Sequence, residues 1–483
     1  MPTDQPRGAV RIDAEKSELR KEQDKEQDKG HDKGHDKGRK SGQSRTPALT
    51  LTAALLGFAL ITLDASVVNV ALPAIGSALG GGLSGLQWTV DAYTLAFAAL
   101  MLSTGAFADR AGASRAYGLG IAVFTLASAA CGLAPTLPAL VGARVVQGAA
   151  AAVVLPASLS LVRQAYADPA QRTRAVALWG AGGSVALALG PVAGGALTAA
   201  WDWRGIFFIN LPLGAAALLL LVRAPRSERR PAPLDLPGQL TAVVTLTALT
   251  FAVIEGGTTG LVAFAVALAG AVLFVRVERR QAHPVVPPEL FRDRAVRVSV
   301  ATGVACSVAF YGVVFLFSLF LQQVQGRSAL YTGLLFLPMS GLIGLTNVLS
   351  GKLAARHGPR LPMLIGQALA AAGLLGLLAV GSGTPAAVVA VLLVPMAVGC
   401  ALTVPPLTVV MMDAVPAERA GLAAGVLNAA RQVAGGLGIA VFGALVDGGF
   451  AAGMRASLAL AAALFAATFV LSFRRAGRPA SRA

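Results

Sequence analysis

Apolar residues in this chain do not alternate with polar ones; they run on. Fourteen stretches built from Ala, Leu, Val, Gly, Ile and Phe lie near residues 48 to 75, 86 to 107, 116 to 136, 138 to 162, 175 to 199, 205 to 222, 238 to 256, 260 to 275, 298 to 320, 331 to 349, 362 to 380, 385 to 409, 421 to 446 and 456 to 473. A run of about 18 to 25 apolar residues, rising about 1.5 Å per residue as a helix, crosses a hydrocarbon core of roughly 30 Å. The pattern predicts fourteen membrane-spanning helices, an all-α integral membrane protein, rather than buried strands.

Composition agrees. The 483 residues are 55% hydrophobic and 13% charged, against roughly 25% charged in an average soluble domain. The net charge of +16 would point to nucleic acid in a soluble protein, but its placement assigns it to the membrane. Nineteen Lys and Arg, among them Arg110, Arg163, Arg229, Arg280, Lys352 and Arg419, fall in loops on the side of the N-terminus, and three, Arg204, Arg327 and Arg455, fall on the other side. Such asymmetry in short loops sets orientation. Fourteen spans with both termini in the cytoplasm satisfy it, and an odd count would invert it in part of the chain. Usage rich in Ala, Gly and Arg points to a bacterium of high GC content, hence to its plasma (inner) membrane. The implied partner is the bilayer with its anionic head groups, not nucleic acid.

The first 47 residues are polar and include four tandem copies of Lys-x-x-Asp over residues 21 to 36. With nothing to bury, this segment is expected to be a disordered tail rather than a cleavable signal; its His31 and His35 are read as solvated. Cys131, Cys306 and Cys400 stand singly in or at the ends of spans, so they are assigned to packing and no metal or cofactor is implied. No GxxxxGK[ST], HExxH or Ser-His-Asp pattern indicates an enzyme.

"GAFADRAG" (Gly105 to Gly112) follows the second span and "GKLAARHG" (Gly351 to Gly358) the tenth, sharing Gly, Ala, Arg and Gly at the same offsets. A shared loop motif implies duplication, as in transporters whose substrate site lies between repeats near the bilayer midplane. The boundaries that follow are a tail over 1–47, a six-helix half over 48–222, a linker with two extra helices over 223–297, a second six-helix half over 298–473, and a tail over 474–483.

At this point the sequence resembles the major facilitator superfamily, specifically its fourteen-helix drug:proton antiporters. The resemblance rests on "LDASVVNVALP" (Leu63 to Pro73), "GAFADRAGASR" (Gly105 to Arg115), "ARVVQGAAAAVVLP" (Ala143 to Pro156), "GAGGSVALALGPVAGG" (Gly180 to Gly195), "WRGIFFINLPLG" (Trp203 to Gly214) and "GLAAGVLNAARQVAGGLG" (Gly421 to Gly438), in the family's order. It implies a major facilitator fold and a proton-coupled antiporter that exports a lipophilic drug or antibiotic. It also implies a gate motif carrying Gly105, Asp109, Arg110 and Gly112, an antiporter motif carrying Gly190, Pro191, Gly194 and Gly195, and roles in coupling for Asp64, Asp91 and Arg144. "GASR" (Gly112 to Arg115) has fewer basic residues than the family's usual pattern.

The residues themselves carry a parallel reading. An ionisable side chain at the bilayer centre costs about 2.5–3.5 kcal/mol on insertion scales, so Asp64, Asp91, Arg144, Arg431 and Glu255, lying in spans, need a reason. Asp64, Asp91 and Arg144 fall at similar depths, roughly 9–12 Å below the outer surface, and are expected to meet. A carboxyl alternately near and far from Arg144 could load and release a proton; the alternative is a permanent Asp–Arg pair fixing three helices. Gln147 shares a helix face with Arg144. Arg431, with Asn428 beside it, is either a ligand for an anionic or carbonyl-rich substrate or a partner for Asp64. Asn69 and Glu255 complete the candidate cavity residues, Glu255 being alternatively a solvated carboxylate at the interface. Trp88, Trp201 and Trp203 are expected as interface anchors. Because the second half holds no acid within a span, the small-molecule substrate is expected to be neutral, monovalent or anionic. Rival functions are proton-coupled transport of a metabolite and a membrane sensor that does not transport.

Overall fold

The computed structural model describes residues 47–223, 235–281, 284, 286–416 and 419–473. The predicted tails, with His31 and His35, lie outside them apart from residue 47. Fourteen long helices result, one for each predicted span: α1 (Pro47–Leu79), α2 (Gly82–Ala111), α3 (Ala113–Gly132), α4 (Leu137–Ala165), α5 (Pro169–Ala200), α6 (Gly205–Val222), α7 (Leu236–Glu255), α8 (Gly257–Arg280), α9 (Arg294–Val324), α10 (Ala329–His357), α11 (Arg360–Leu377), α12 (Ala386–Asp413), α13 (Ala420–Asp447) and α14 (Phe450–Phe473). Thirteen of them are long and apolar enough to cross a membrane, and α2 carries the apolar run over residues 86–107. No strand occurs among the described residues.

Local chemistry sets the helix ends. Asp168, Asp235 and Asp293 precede α5, α7 and α9, and each accepts a hydrogen bond from a backbone N–H of the first turn, satisfying a donor that the helix itself leaves free. Gly112 (φ 87°) and Gly358 (φ 79°) close the two copies of the repeated loop motif. Both need the left-handed region that glycine enters without a Cβ penalty.

Packing separates centre from periphery. α9 has 83% of its apolar window buried, α7 and α8 only 17% each, so α9 runs through the core while α7 and α8 form an outer hairpin. That hairpin leans on α2 and α13 through α7. One apolar cluster is confined to α1–α4 and α6 around Tyr117, Phe124 and Leu155. Another gathers Phe317, Phe336, Leu374 and Phe465 from the later helices. A third crosses between the groups, with Leu72, Leu86 and Trp203 against Phe315, Leu319 and Ile439. Trp203 is therefore not an interface anchor: it is 1% exposed, edge-on to Phe207 at 6.2 Å, because the turn after α5 folds it inward. Trp201, 78% exposed, stays at the surface as expected.

Side-chain hydrogen bonds to backbone carbonyls that cross between early and late helices gather at one end of the bundle. Ser318 donates to the Asn69 carbonyl at 2.7 Å, Gln322 to that of Val70 at 2.9 Å and Gln87 to that of Ala440 at 2.7 Å. All lie toward the α1–α2, α9–α10 and α13–α14 turns. α5 and α10 meet there too, where a methyl group on Gly195 would sit 2.5 Å from the Ala329 carbonyl oxygen and 2.8 Å from Leu330 Cα. Gly195→Ala is expected to push this closed end apart, because overpacking costs about 1–3 kcal/mol. Spin labels at Ser77 and Arg327 would report a longer distance in the variant; an unchanged distance would show that α5 and α10 do not hold this end shut.

Candidate functional site

The sequence places one acid, Asp64, deep in α1, and the fold spends both of its oxygens. Arg144 Nη1 stands 2.5 Å from Asp64 Oδ2, while Gln147 Nε2 and Asn210 Nδ2 donate to Oδ1 at 2.9 and 2.8 Å. Arg144 also donates from Nε to the Thr89 carbonyl at 3.1 Å and from Nη1 to Gln147 Oε1 at 2.8 Å. Its guanidinium lies 4.2 Å from the Tyr93 ring centroid. Ser128 accepts from Gln147 and Asn210 and donates to the Phe207 carbonyl. Helices α1, α2, α3, α4 and α6 thus converge on one ion pair, with Asp64, Arg144, Gln147, Ser128 and Asn210 all at 0% exposure. A buried pair survives in low dielectric only when its remaining hydrogen-bonding capacity is met, and here the amides of Gln147 and Asn210 meet it.

Asp91 does not join this cluster, contrary to the expectation that the three charges meet. At about 100° per residue, two positions along α2 turn Asp91 roughly 200° away from Thr89, whose carbonyl faces Arg144. It faces α13 instead: a methyl on Gly436 would lie 3.2 Å from Asp91 Oδ1. Gln87 and Met101, on the same stripe of α2, meet Ala440 and Asn428 of α13. The Asp91 carboxyl is fully buried with no hydrogen-bond partner on either oxygen. It lies in a seam between two helices far apart in sequence.

Arg431 is not a partner for Asp64, whose charge Arg144 already meets. Arg431 lines a cavity of about 140 Å³ between α5, α9, α10, α12 and α13, beside Tyr311, Asn347 and Phe310. Gly303 of α9 makes room for its stem, since a methyl there would sit 3.0 Å from Arg431 Cγ.

Residues 54–439 match the Major Facilitator Superfamily. The chain belongs to that superfamily. It is 40% identical over 411 residues to the multidrug resistance protein Stp of Mycobacterium tuberculosis, covering 83% of this chain and 76% of that protein. It is 38% identical over 403 residues to the methylenomycin A resistance protein of Streptomyces coelicolor, covering 82% and 85%. Among solved structures it resembles the D-xylose-proton symporter, with a TM-score of 0.65 at 14% identity over 89% of this chain and 98% of that one. It also resembles an inward-facing bacterial homologue of the lysosomal transporter Spinster, with a TM-score of 0.64 at 16% identity over 89% and 96%. These structural likenesses show the fold. This major facilitator is a multi-pass membrane transporter, not an enzyme.

Within the major facilitator fold the other motif residues divide. Gly190 faces Ser66, and Gly194 faces the Val67 carbonyl, both on α1. Only Pro191 and Gly195 face α10, at Gly333 and Ala329. The glycine run therefore serves two contacts, one within the early helices and one across to the late ones. Gly105 has open space around it, and Arg110 is exposed at the end of α2; the Asp109 side chain lies outside the described residues. Asn69 donates to the Ala65 carbonyl of its own helix at 3.3 Å. Glu255 does not line the cavity: it accepts from Ser84 and Trp88 at 3.0 and 3.2 Å, tying the outer hairpin to α2. Asn210 and Ser128 had not been singled out from the sequence. An amide inside the apolar span 205 to 222 was a usable signal for Asn210, whereas Ser128 is one of many span hydroxyls.

Proposed function

We propose that this major facilitator exports a lipophilic small molecule, an antibiotic or drug, from a bacterial cell in exchange for protons. Its relatives' names support the substrate class: besides the two above, it is 32% identical over 416 residues to the tetracenomycin C resistance and export protein of Streptomyces glaucescens. In this reading the halves are residues 48–222 and 298–473, joined by a linker carrying the α7–α8 hairpin, both termini are cytoplasmic, and the closed end faces outward.

The observation that carries the coupling is Asp91, a carboxyl without a partner in the seam between α2 and α13. Burying an ionised carboxylate unpaired is costly, so closing the seam over Asp91 is tied to its holding a proton, and opening it lets the proton leave. Asp64 and Arg144 form the fixed frame on which α2 is held. Cells expressing the protein are expected to accumulate less methylenomycin A or tetracenomycin C than control cells, with the difference erased by a protonophore. Equal accumulation of every compound tested, with the protein present in the membrane, would contradict the export reading.

A further inference from the structure

Arg431 carries a charge that no described residue neutralises. No hydrogen bond or ion pair reaches it among the described residues, and its Nε is buried without a partner. It lies in the middle of α13, about 16 Å along the axis from the nearer helix end. Gly303 leaves space for its Cγ and Cδ, so the stem is packed and the head is directed into the cavity. Asp91 is not positioned to answer it: Gly436, which Asp91 approaches, is about 140° around the helix from Arg431.

The cavity completes a pattern of unspent donors. Asn347 and Tyr311 line it with no hydrogen bond to another described residue, and Ser307 presents a buried hydroxyl without a partner. Ser184, which donates to the Gly180 carbonyl of its own helix, and mostly apolar side chains such as Phe310 and Leu187 form the rest, with no Asp or Glu in the lining. An apolar pocket with a few convergent polar groups takes a lipophilic ligand and orients it by those groups. Here they include a fixed cation, which favours an oxygen anion over any neutral acceptor and opposes an amine.

We propose that this cavity, of about 140 Å³, seats the anionic end of the exported compound and selects lipophilic molecules bearing one anionic oxygen group, a carboxylate or an enolate, whose charge Arg431 meets while Asn347 and Tyr311 hydrogen-bond to it. The proposal rests on the exporter reading and names its substrate class. It has an energetic consequence. Exchanging an anion for an incoming proton carries more charge inward than exchanging a neutral molecule, so the membrane potential adds to the driving force.

The test is direct binding to the purified full chain by calorimetry. A panel of lipophilic monocarboxylates, starting with 2-naphthoate, is compared with the methyl ester and the aminomethyl analogue of each skeleton. Wild type is expected to prefer the acids at least tenfold, and Arg431→Gln to bind them roughly 10- to 100-fold more weakly, as expected for losing a charge-assisted hydrogen bond. Arg431→Lys keeps the charge and is expected to fall between, so a preference retained there separates loss of the site from loss of the fold; unchanged melting temperature and elution volume show that the fold is kept. Equal or tighter binding of the amines, binding of no acid in the panel, or an Arg431→Gln protein that is folded and binds acids as well as wild type would overturn the proposal. Vesicle transport separates it from the exporter reading. Proton exchange confined to neutral or cationic compounds removes the anion site and leaves the exporter, whereas acids that bind through Arg431 but exchange for no proton leave the site and remove proton-coupled export.

Discussion

Arg144→Ala is expected to lower stability by about 3–5 kcal/mol and to abolish transport. Removing one member of a buried ion pair leaves the other charge uncompensated in low dielectric, which is where that magnitude arises. The loss does not stop at one contact. Arg144 bonds Asp64 of α1, the Thr89 carbonyl of α2 and Gln147 of α4, and stacks over Tyr93, so its removal leaves a buried carboxylate and a buried carbonyl without their donor. Asp64→Asn is expected to cost a comparable amount, since the guanidinium loses its counter-charge and the new amide NH2 is set against a donor, either Arg144 or the pair Gln147 and Asn210. The double variant Asp64→Asn with Arg144→Ala should recover part of the loss, because no net charge remains buried. Thermal unfolding of the four proteins in one detergent measures the coupling. Additive losses in the double variant would show that the pair does not act as a unit.

Asp91→Asn is expected to do the opposite: leave the fold intact and stop proton exchange. The amide has the same shape, and the carboxyl it replaces makes no hydrogen bond, so stability should stay within about 1 kcal/mol of the parent. The stripe of Gln87, Asp91 and Met101 against Ala440, Gly436 and Asn428 should still close. What the variant lacks is a proton to exchange. Binding of exported compounds should persist while protection of cells disappears. Protection at the wild-type level by a protein with Asn at this position would remove Asp91 from the coupling step.

The fourteen spans were legible because the signal is run length, and a bilayer fixes that length. The α2 helix shows what hydropathy alone leaves open: its run over 86 to 107 reads as a span, but nothing in that run says what Gln87 and Asp91 within it meet. The pairing of Asp64 with Arg144 was legible as a possibility, since charges costly in lipid need partners. Its separation from Asp91 depends on which face of α2 turns toward α4, and depth along a helix says nothing about face. Helical phase would have put Thr89 and Asp91 on opposite sides, but only packing shows that α4 takes the first and α13 the second.

Hydroxyls were the least legible. Thr62, Thr94 and Thr125 each bond the carbonyl one turn back in their own helix, the ordinary fate of Ser and Thr in a span. Nothing in the local sequence separates them from Ser128, which bonds three residues of other helices. Trp203 was misplaced for a related reason: its position at the end of a span fits an interface anchor, and its burial is set by the turn at residues 201 to 205.

The measurement that bears most directly on proton-coupled export uses vesicles containing the reconstituted protein with an acidic interior, an internal pH dye, and the antibiotics named above together with the lipophilic acids. A compound that the wild-type protein carries inward is predicted to collapse the pH gradient as protons leave in exchange, and Asp91→Asn, equally folded and equally abundant in the vesicles, is predicted to leave the gradient standing. A compound shown to enter these vesicles through the wild-type protein with no change in the gradient, or the same collapse by the Asp91→Asn protein, would contradict the account.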